Sequence, residues 1–280
     1  YRSHHLDRVQ RSPLDERDVP VRALPQRQLR HRTRILERVA RTEHHRAQLR
    51  YLRKLILEQH PAVELARRVL HLHPNARRAI INSLGINATW LGDAERKAFA
   101  QEHGVHPPFL IVISPTMRCN LRCLGCYAGE YPRESDPLSF EVIDRIVSEG
   151  KEMGVYFYTI SGGEPFLRPD LLDLYDKHRD CTFLIYTNGT RIDEKVVSRL
   201  QECGNAAPAI SIEGWREQTD FRRGKGVYRK VMDTMDALRE AGLFFGFSAT
   251  ATRLNADVYL GERFYDHMIE KGFLFGWFFI

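Results

Sequence analysis

Two periods divide the chain. Over roughly the first hundred residues, apolar positions recur at three- and four-residue steps, the repeat of a helix with one buried face. From about Gln28, Ile35, Leu36 and Val39, then Leu49, Leu52, Leu55 and Ile56, line such a face. Pro61 can open the next helix, where its missing N–H is not needed. Val63, Leu65, Ala66, Val69 and Leu70 give that helix its apolar stripe. Pro74 ends it, and a short helix from Asn75 to Leu84 is expected to stop at Gly85. Asp93 is positioned to cap a further helix that ends near Gly104. Residues 1–26, ahead of all this, are polar and broken by Pro13, Pro20 and Pro25, which predicts a mobile arm.

After His106-Pro107-Pro108 the period changes. Phe109–Ile113 is a continuous apolar run, the pattern of a strand buried on both faces of a parallel sheet. Similar runs recur at Val155–Ile160, Thr182–Tyr186, Ala209–Ile212, Phe244–Ala249 and Phe273–Ile280. Helical patterns separate them. One starts at Ser139, a good N-cap, buries Ile143, Ile146 and Val147, and stops at Gly154. Others are predicted over Pro169–His178, Asp193–Cys203, Tyr228–Ala241 and Asn255–Lys271, with Gly204, Gly242 and Gly272 as stops. Six strands with five helices between them form an α/β, barrel-like series. The expected organisation is a basic arm over 1–26, an all-helical region over 27–106 and an α/β core over 107–280. No sixth helix follows the last strand, as expected of a core cut short there.

Composition changes this picture little. Apolar residues make up 43% and charged residues 28%, ordinary values for a globular protein. No run of eighteen apolar residues predicts a membrane span. Charge is more informative. The first fifty residues hold 13 arginines and no lysine against 6 acids, a balance of +7, while the whole chain carries +6. The basic character therefore belongs to the N-terminal end. Only Tyr1 and Tyr51 are aromatic in the first fifty-one residues, so base stacking is unsupported and nucleic acid is not an expected partner. A solvated basic helix is the first reading there, and a docking surface for a substrate peptide or anionic partner the second. Eight of the 12 histidines fall before residue 74 and read as solvated.

Candidate chemistry centres on Cys119-Asn120-Leu121-Arg122-Cys123-Leu124-Gly125-Cys126-Tyr127, a C-x3-C-x2-C loop just after the first core strand. Three thiolates on one tight loop can hold a metal centre. Structural zinc usually closes with four ligands, and ferredoxin clusters also take four thiolates. No fourth Cys or His lies within ten residues on either side. The loop therefore suggests a [4Fe-4S] cluster with one iron left open, with a zinc knuckle as the alternative. Cys181 and Cys203 read as small buried apolar residues. Cysteines concentrated on one loop suit metal ligation in a reducing compartment, so a cytoplasmic location is expected.

Straight after the second core strand comes Gly162-Gly163-Glu164-Pro165. With both motifs in place, the chain resembles the radical S-adenosylmethionine (SAM) enzymes. The resemblance runs from about Phe109 to Ile280 and is similar in detail to the subgroup holding SPASM-type peptide maturases and the molybdenum-cofactor cyclase. It implies a partial (β/α)6 TIM-like barrel, with Cys119, Cys123 and Cys126 as cluster ligands and SAM chelating the open iron. It also implies reductive cleavage of SAM to a 5′-deoxyadenosyl radical that abstracts hydrogen from a substrate. The electron would come from an external donor of the flavodoxin or ferredoxin type, and a peptide is one candidate substrate. Gly162, Gly163 and Glu164 would contact the SAM amino group, with Glu164 its acceptor. Thr187, in Thr187-Asn188-Gly189, would line the SAM pocket, although a simple turn accounts for this stretch equally well. Ser211 and Arg223, in a stretch similar to the subgroup's S-[IL]-D-G…H-D-x-x-R-G-x-G, are candidates for the SAM carboxylate or ribose. Glu213 and Thr219 depart from that pattern, and Gly125 stands where an aromatic is frequent. Ser248 and Thr250 are further pocket candidates. A non-catalytic iron–sulfur module for electron transfer is the alternative from another functional class, and a zinc-dependent nucleic-acid binder is a third reading.

Overall fold

A computed structural model of the chain describes residues 43–58, 60–130 and 136–280. The predicted arm and the start of the first helix lie outside the described residues. By contacts the chain divides into two compact units, Tyr1–Glu64 and Leu65–Ile280. In the first, the described residues form helix α1 (Glu43–Leu57) and the start of α2 (Pro61–Leu70).

The second unit is built on one sheet of six strands, β1 (Leu110–Ile113), β2 (Phe157–Ile160), β3 (Thr182–Thr187), β4 (Ala206–Ser211), β5 (Gly246–Thr250) and β6 (Gly276–Phe279). Each strand pairs in parallel with the next in sequence, in the order β1-β2-β3-β4-β5-β6. The sheet curls into a half-barrel. Helices α5 (Phe140–Glu152), α6 (Asp170–Lys177), α7 (Glu194–Cys203), α8 (Arg216–Arg223), α9 (Val227–Glu240), α10 (Ala256–Leu260) and α11 (Glu262–Glu270) follow the strands. Local chemistry sets their starts as expected. Ser139 Oγ accepts from Val142 N, and Asp193 Oδ1 from Val196 N at 2.9 Å.

The apolar strand runs have a different cause from the one expected. Only the outer face is packed. There Ile143, Val147, Leu174, Leu200, Met235 and Phe264 meet Tyr158, Ile160, Phe183, Ile185 and Ile210 in one buried cluster. Each such side chain contributes roughly 1.5–3 kcal/mol by leaving water. The inner face instead lines a cavity, and Val112 on β1 is 60% exposed. A closed eight-stranded barrel fills its interior with side chains; this one does not.

Within the second unit, the helices that precede the sheet bond directly to it. After α3 (Pro74–Ala79) the chain continues through a π-helical stretch, Ile80–Leu91, directly into α4 (Gly92–His103). Gly85 therefore does not stop a helix. Tertiary bonds override it: Ser83 Oγ donates to Arg179 O at 2.8 Å and Asn87 Nδ2 to Asp180 O at 2.9 Å. Buried Arg96 donates to Gly154 O at 2.7 Å, and His73 N to Gly242 O at 2.9 Å. All four acceptors precede strands, so this helical run covers the amino ends of the strands and leaves the carboxyl ends open.

Two further elements differ from expectation. The helix predicted over Asn255–Lys271 is broken at Gly261 into α10 and α11. Helix α8 carries almost no apolar stripe, and only Thr219 is buried in it, so no period announced it.

Candidate active site

Parallel α/β folds bind ligands at the carboxyl ends of their strands, where the loops converge. Here a cavity of about 650 Å³ opens at those ends and runs down the inner face of the sheet. Cys119, Cys123, Cys126, Gly162, Gly163, Thr187, Ser211 and Arg223 all line it. Eight of the nine residues named for cluster and SAM thus meet at one cavity, although they span more than a hundred positions, and Ser248 and Thr250 line it too.

Glu164 is the exception. Its side chain is fully buried and is not part of the cavity wall. Oε1 accepts from Thr187 Oγ1 at 2.7 Å and from Phe166 N at 3.1 Å, and Oε2 from Asn188 N at 2.7 Å. Burial pushes its carboxyl pKa up, and these bonds partly offset the shift. These protein donors tie the turn after β2 to the turn after β3.

The glycines also act within the protein. A Cβ on Gly162, which has φ 103°, would lie 2.3 Å from Thr116 O, and one on Gly163 would lie 2.1 Å from Arg118 O. The room they leave is taken by the stem of the cysteine loop. Gly163 N donates to Thr116 O and Glu164 N to Arg118 O, both at 2.8 Å. Between the second and third cysteines, Leu124 N donates to Arg222 O at 2.8 Å. Main-chain bonds therefore hang the loop from the turn after β2 and from the last turn of α8.

Cys119, Cys123 and Cys126 are half-buried free thiols. Burial pushes the Cys119 thiol up, and the Leu121 N–H and Asn188 amide pull against it. Burial likewise raises Cys123, opposed by Arg223 and Arg222. A coordinating metal deprotonates such thiols outright. Among the described residues, no three Cys, His, Asp or Glu side chains are grouped so as to hold a single metal ion. All three thiols line the same cavity, and such a donor set suits a multi-iron cluster, in which each thiolate takes its own iron. Cys181 and Cys203 are buried within the core cluster, as expected.

The two departures from the subgroup pattern are accommodated. Buried Glu213 accepts from Arg222 Nη1, from Arg223 Nε and Nη2 at 2.9 and 2.6 Å, and from Thr250 N at 3.1 Å. Its carboxylate fixes the Arg223 guanidinium at the cavity wall. Thr219 Oγ1 accepts from Glu213 N at 3.1 Å and donates to Gly214 O at 3.3 Å. Ser211 Oγ and Ser248 Oγ stand 3.1 Å apart on neighbouring strands. Tyr127, just past the last cysteine, accepts at its hydroxyl from Gly162 N at 3.2 Å. Asn188, the middle residue of the Thr187-Asn188-Gly189 motif, also lines the cavity, and its Nδ2 lies 3.7 Å from Cys119 Sγ. The motif marks the turn, but no spacing marks the contact with a cysteine.

Comparison with known proteins agrees with this geometry. The Radical SAM superfamily model matches residues 113–253, half of the chain. Fe-coproporphyrin III synthase of Methanosarcina barkeri is 33% identical over 150 residues, which are 52% of this chain and 38% of that protein. Mycofactocin maturase MftC of Mycolicibacterium smegmatis is 32% identical over 162 residues, 56% of this chain and 41% of that protein. The matched stretches are thus less than half the length of these curated relatives. Among solved structures, Streptococcus suis SuiB bound to S-adenosylmethionine shares the fold, with a TM-score of 0.55 at 21% identity over 65% of this chain and 43% of that one. By the family match and the shared half-barrel, the chain belongs to the radical SAM superfamily, whose members bind a [4Fe-4S] cluster and S-adenosylmethionine.

Proposed function

We propose that the chain is the catalytic core of a radical SAM enzyme in which Cys119, Cys123 and Cys126 ligate the cluster. The observation that carries this reading is the convergence of the three thiols, the Gly162-Gly163 turn, Ser211 and Arg223 on one cavity. When bound, cluster and SAM supply one-electron cleavage to a 5′-deoxyadenosyl radical. The chain's own residues hold and orient. Arg223, fixed by Glu213, presents a cation suited to a carboxylate. The Ser211 hydroxyl and the Thr187 turn offer polar partners beside it. Leu110, Phe157, Tyr186, Trp277 and Phe279 line the cavity, and apolar walls of this kind keep water from a reactive centre.

A peptide is the substrate class we favour. Among the relatives, MftC is named a maturase, and SuiB has been solved with its precursor peptide SuiA. An external one-electron donor completes the reaction. A porphyrin is the second reading, supported by the Methanosarcina synthase and by the aromatic wall. Anaerobic reconstitution with iron and sulfide, followed by dithionite and SAM, tests the core claim. Methionine and 5′-deoxyadenosine should form, and Cys123→Ala should abolish both the brown colour and the cleavage. Undiminished cleavage in Cys123→Ala would refute the assignment. A Soret-band titration with coproporphyrin separates the two substrate classes, since a peptide enzyme should leave the band unmoved.

A further inference from the structure

Asn188 has a bond that its place in a turn does not require. Its main-chain N–H is held by Glu164 Oε2 at 2.7 Å. Its side-chain Oδ1 accepts from the N–H and the hydroxyl of Thr190, at 2.9 and 2.7 Å. These are the usual bonds of a turn asparagine. They also decide which way round the amide lies, because an N–H of Thr190 can only meet the oxygen end. The nitrogen end must then face the cysteine loop. There Nδ2 donates to Asn120 Oδ1 at 3.0 Å and lies 3.7 Å from Cys119 Sγ. Asn120 Nδ2 donates in turn to Thr190 Oγ1 at 2.8 Å, which closes a ring of three polar side chains around the contact. Asn188 is only 6% exposed, so its amide is shielded from competing water.

Hydrogen bonds to the sulfurs of an iron–sulfur centre are one of the levers on its potential. A reduced centre places more negative charge on its thiolates, so a donated N–H favours the reduced form more than the oxidised one. The main-chain N–H of Leu121 gives Cys119 Sγ a second donor at 3.5 Å, and that one is common to any residue at its position. We infer that Asn188 is a positioning residue that acts through Cys119: its amide, locked by Thr190, Asn120 and Glu164, raises the reduction potential of the centre and brings it within reach of a biological donor. This rests on the ligation proposed for the three cysteines and adds to it a residue that sets how readily the electron arrives.

The test is a redox titration of the reconstituted protein followed by electron paramagnetic resonance, with no SAM and no substrate. Asn188→Leu removes the donor at nearly constant volume. Thr190→Val loosens the same turn but leaves the amide N–H beside the sulfur. In Asn188→Leu the ratio of reduced to oxidised centre at a fixed potential should fall on the order of tenfold, a shift of about 59 mV to more negative potential for one electron. Thr190→Val should shift the midpoint much less. An unmoved midpoint in Asn188→Leu would overturn the inference. Equal shifts in the two variants, or equal failure to take up iron, would do the same, because both point to a merely structural turn. Loss of iron uptake in Asn188→Leu alone would also overturn it, by making Asn188 an assembly residue. A wild-type chain that takes up iron but shows no reducible iron–sulfur signal would instead sink the cysteine ligation, an outcome visible before any variant is made.

Discussion

Gly163 has no unusual backbone angle; what it supplies is room. An added methyl would meet the Arg118 carbonyl at 2.1 Å with main chain on both sides, so the cysteine loop would have to move. Gly163→Ala should destabilise the protein by roughly 1–3 kcal/mol and reduce the iron bound per chain after reconstitution. Unchanged iron content would show that the loop can shift freely. Glu164 is the complementary case, a buried acceptor among donors. Glu164→Gln turns one acceptor into a donor that faces another donor, at a cost of roughly 1–3 kcal/mol, readable in urea denaturation. A change below a few tenths would mean that water replaces the lost bond. Single residues were legible in the sequence where a spacing marked them, as with the cysteines and glycines. They were not legible where the bond crosses space. Nothing in Asn188 or Glu213 as letters shows that one reaches a cysteine 69 positions away and the other a pair of arginines.

The segment that carries the cysteines is braced as an element from outside the cavity. Buried Arg168 donates through Nη1 to Pro115 O at 3.2 Å and to Leu138 O at 2.6 Å, one at each end of that segment. Its Nε bonds Asp170 Oδ1 at 3.0 Å, and Arg118 binds Asp136 through two nitrogens at 2.9 and 2.6 Å. Arg168→Met should leave two carbonyls unpaired and destabilise the fold by roughly 2–4 kcal/mol, measured by chemical denaturation; a loss under 1 kcal/mol would contradict the brace. Asp170 gives it a pH dependence. The bond from Arg168 holds the Asp170 carboxyl below its usual range. The folded chain then binds that proton less readily than the unfolded one. The stabilisation is therefore present above the ordinary carboxylate pKa of about 3.9 and is lost as pH falls through the lowered value. Asp170→Asn should destabilise at neutral pH, with the gap to wild type closing in strong acid. A gap independent of pH would rule this out. Most strands and helices were readable from their period. Helix α8 was not, since polar bonds rather than an apolar stripe hold it: Leu124 N meets Arg222 O, and Thr219 Oγ1 accepts from Glu213 N.

At the scale of the molecule, the half-barrel has one packed face, one lined cavity, and a helical run across the amino ends of its strands. The unit Leu65–Ile280 has its own core, so a chain lacking residues 1–58, which keeps α2 whole, should still melt cooperatively and take up iron. Loss of both on truncation would show that the N-terminal unit completes the fold. The parallel series was visible in the alternation of apolar runs and helical stripes. That its inner face is left open was not, because a strand facing a cavity and a strand facing a core can carry the same apolar letters. The attachments of the cysteine loop have a further consequence. They are carbonyls and amides of the main chain at Thr116, Arg118, Leu124 and Arg222, which side-chain replacement does not delete. The sulfur-bearing end is thereby insulated from drift in the wall below it. Tyr186, Trp277 and Phe279 belong to that wall, so exchanging them would reshape the room for a guest and leave the attachments of the loop in place.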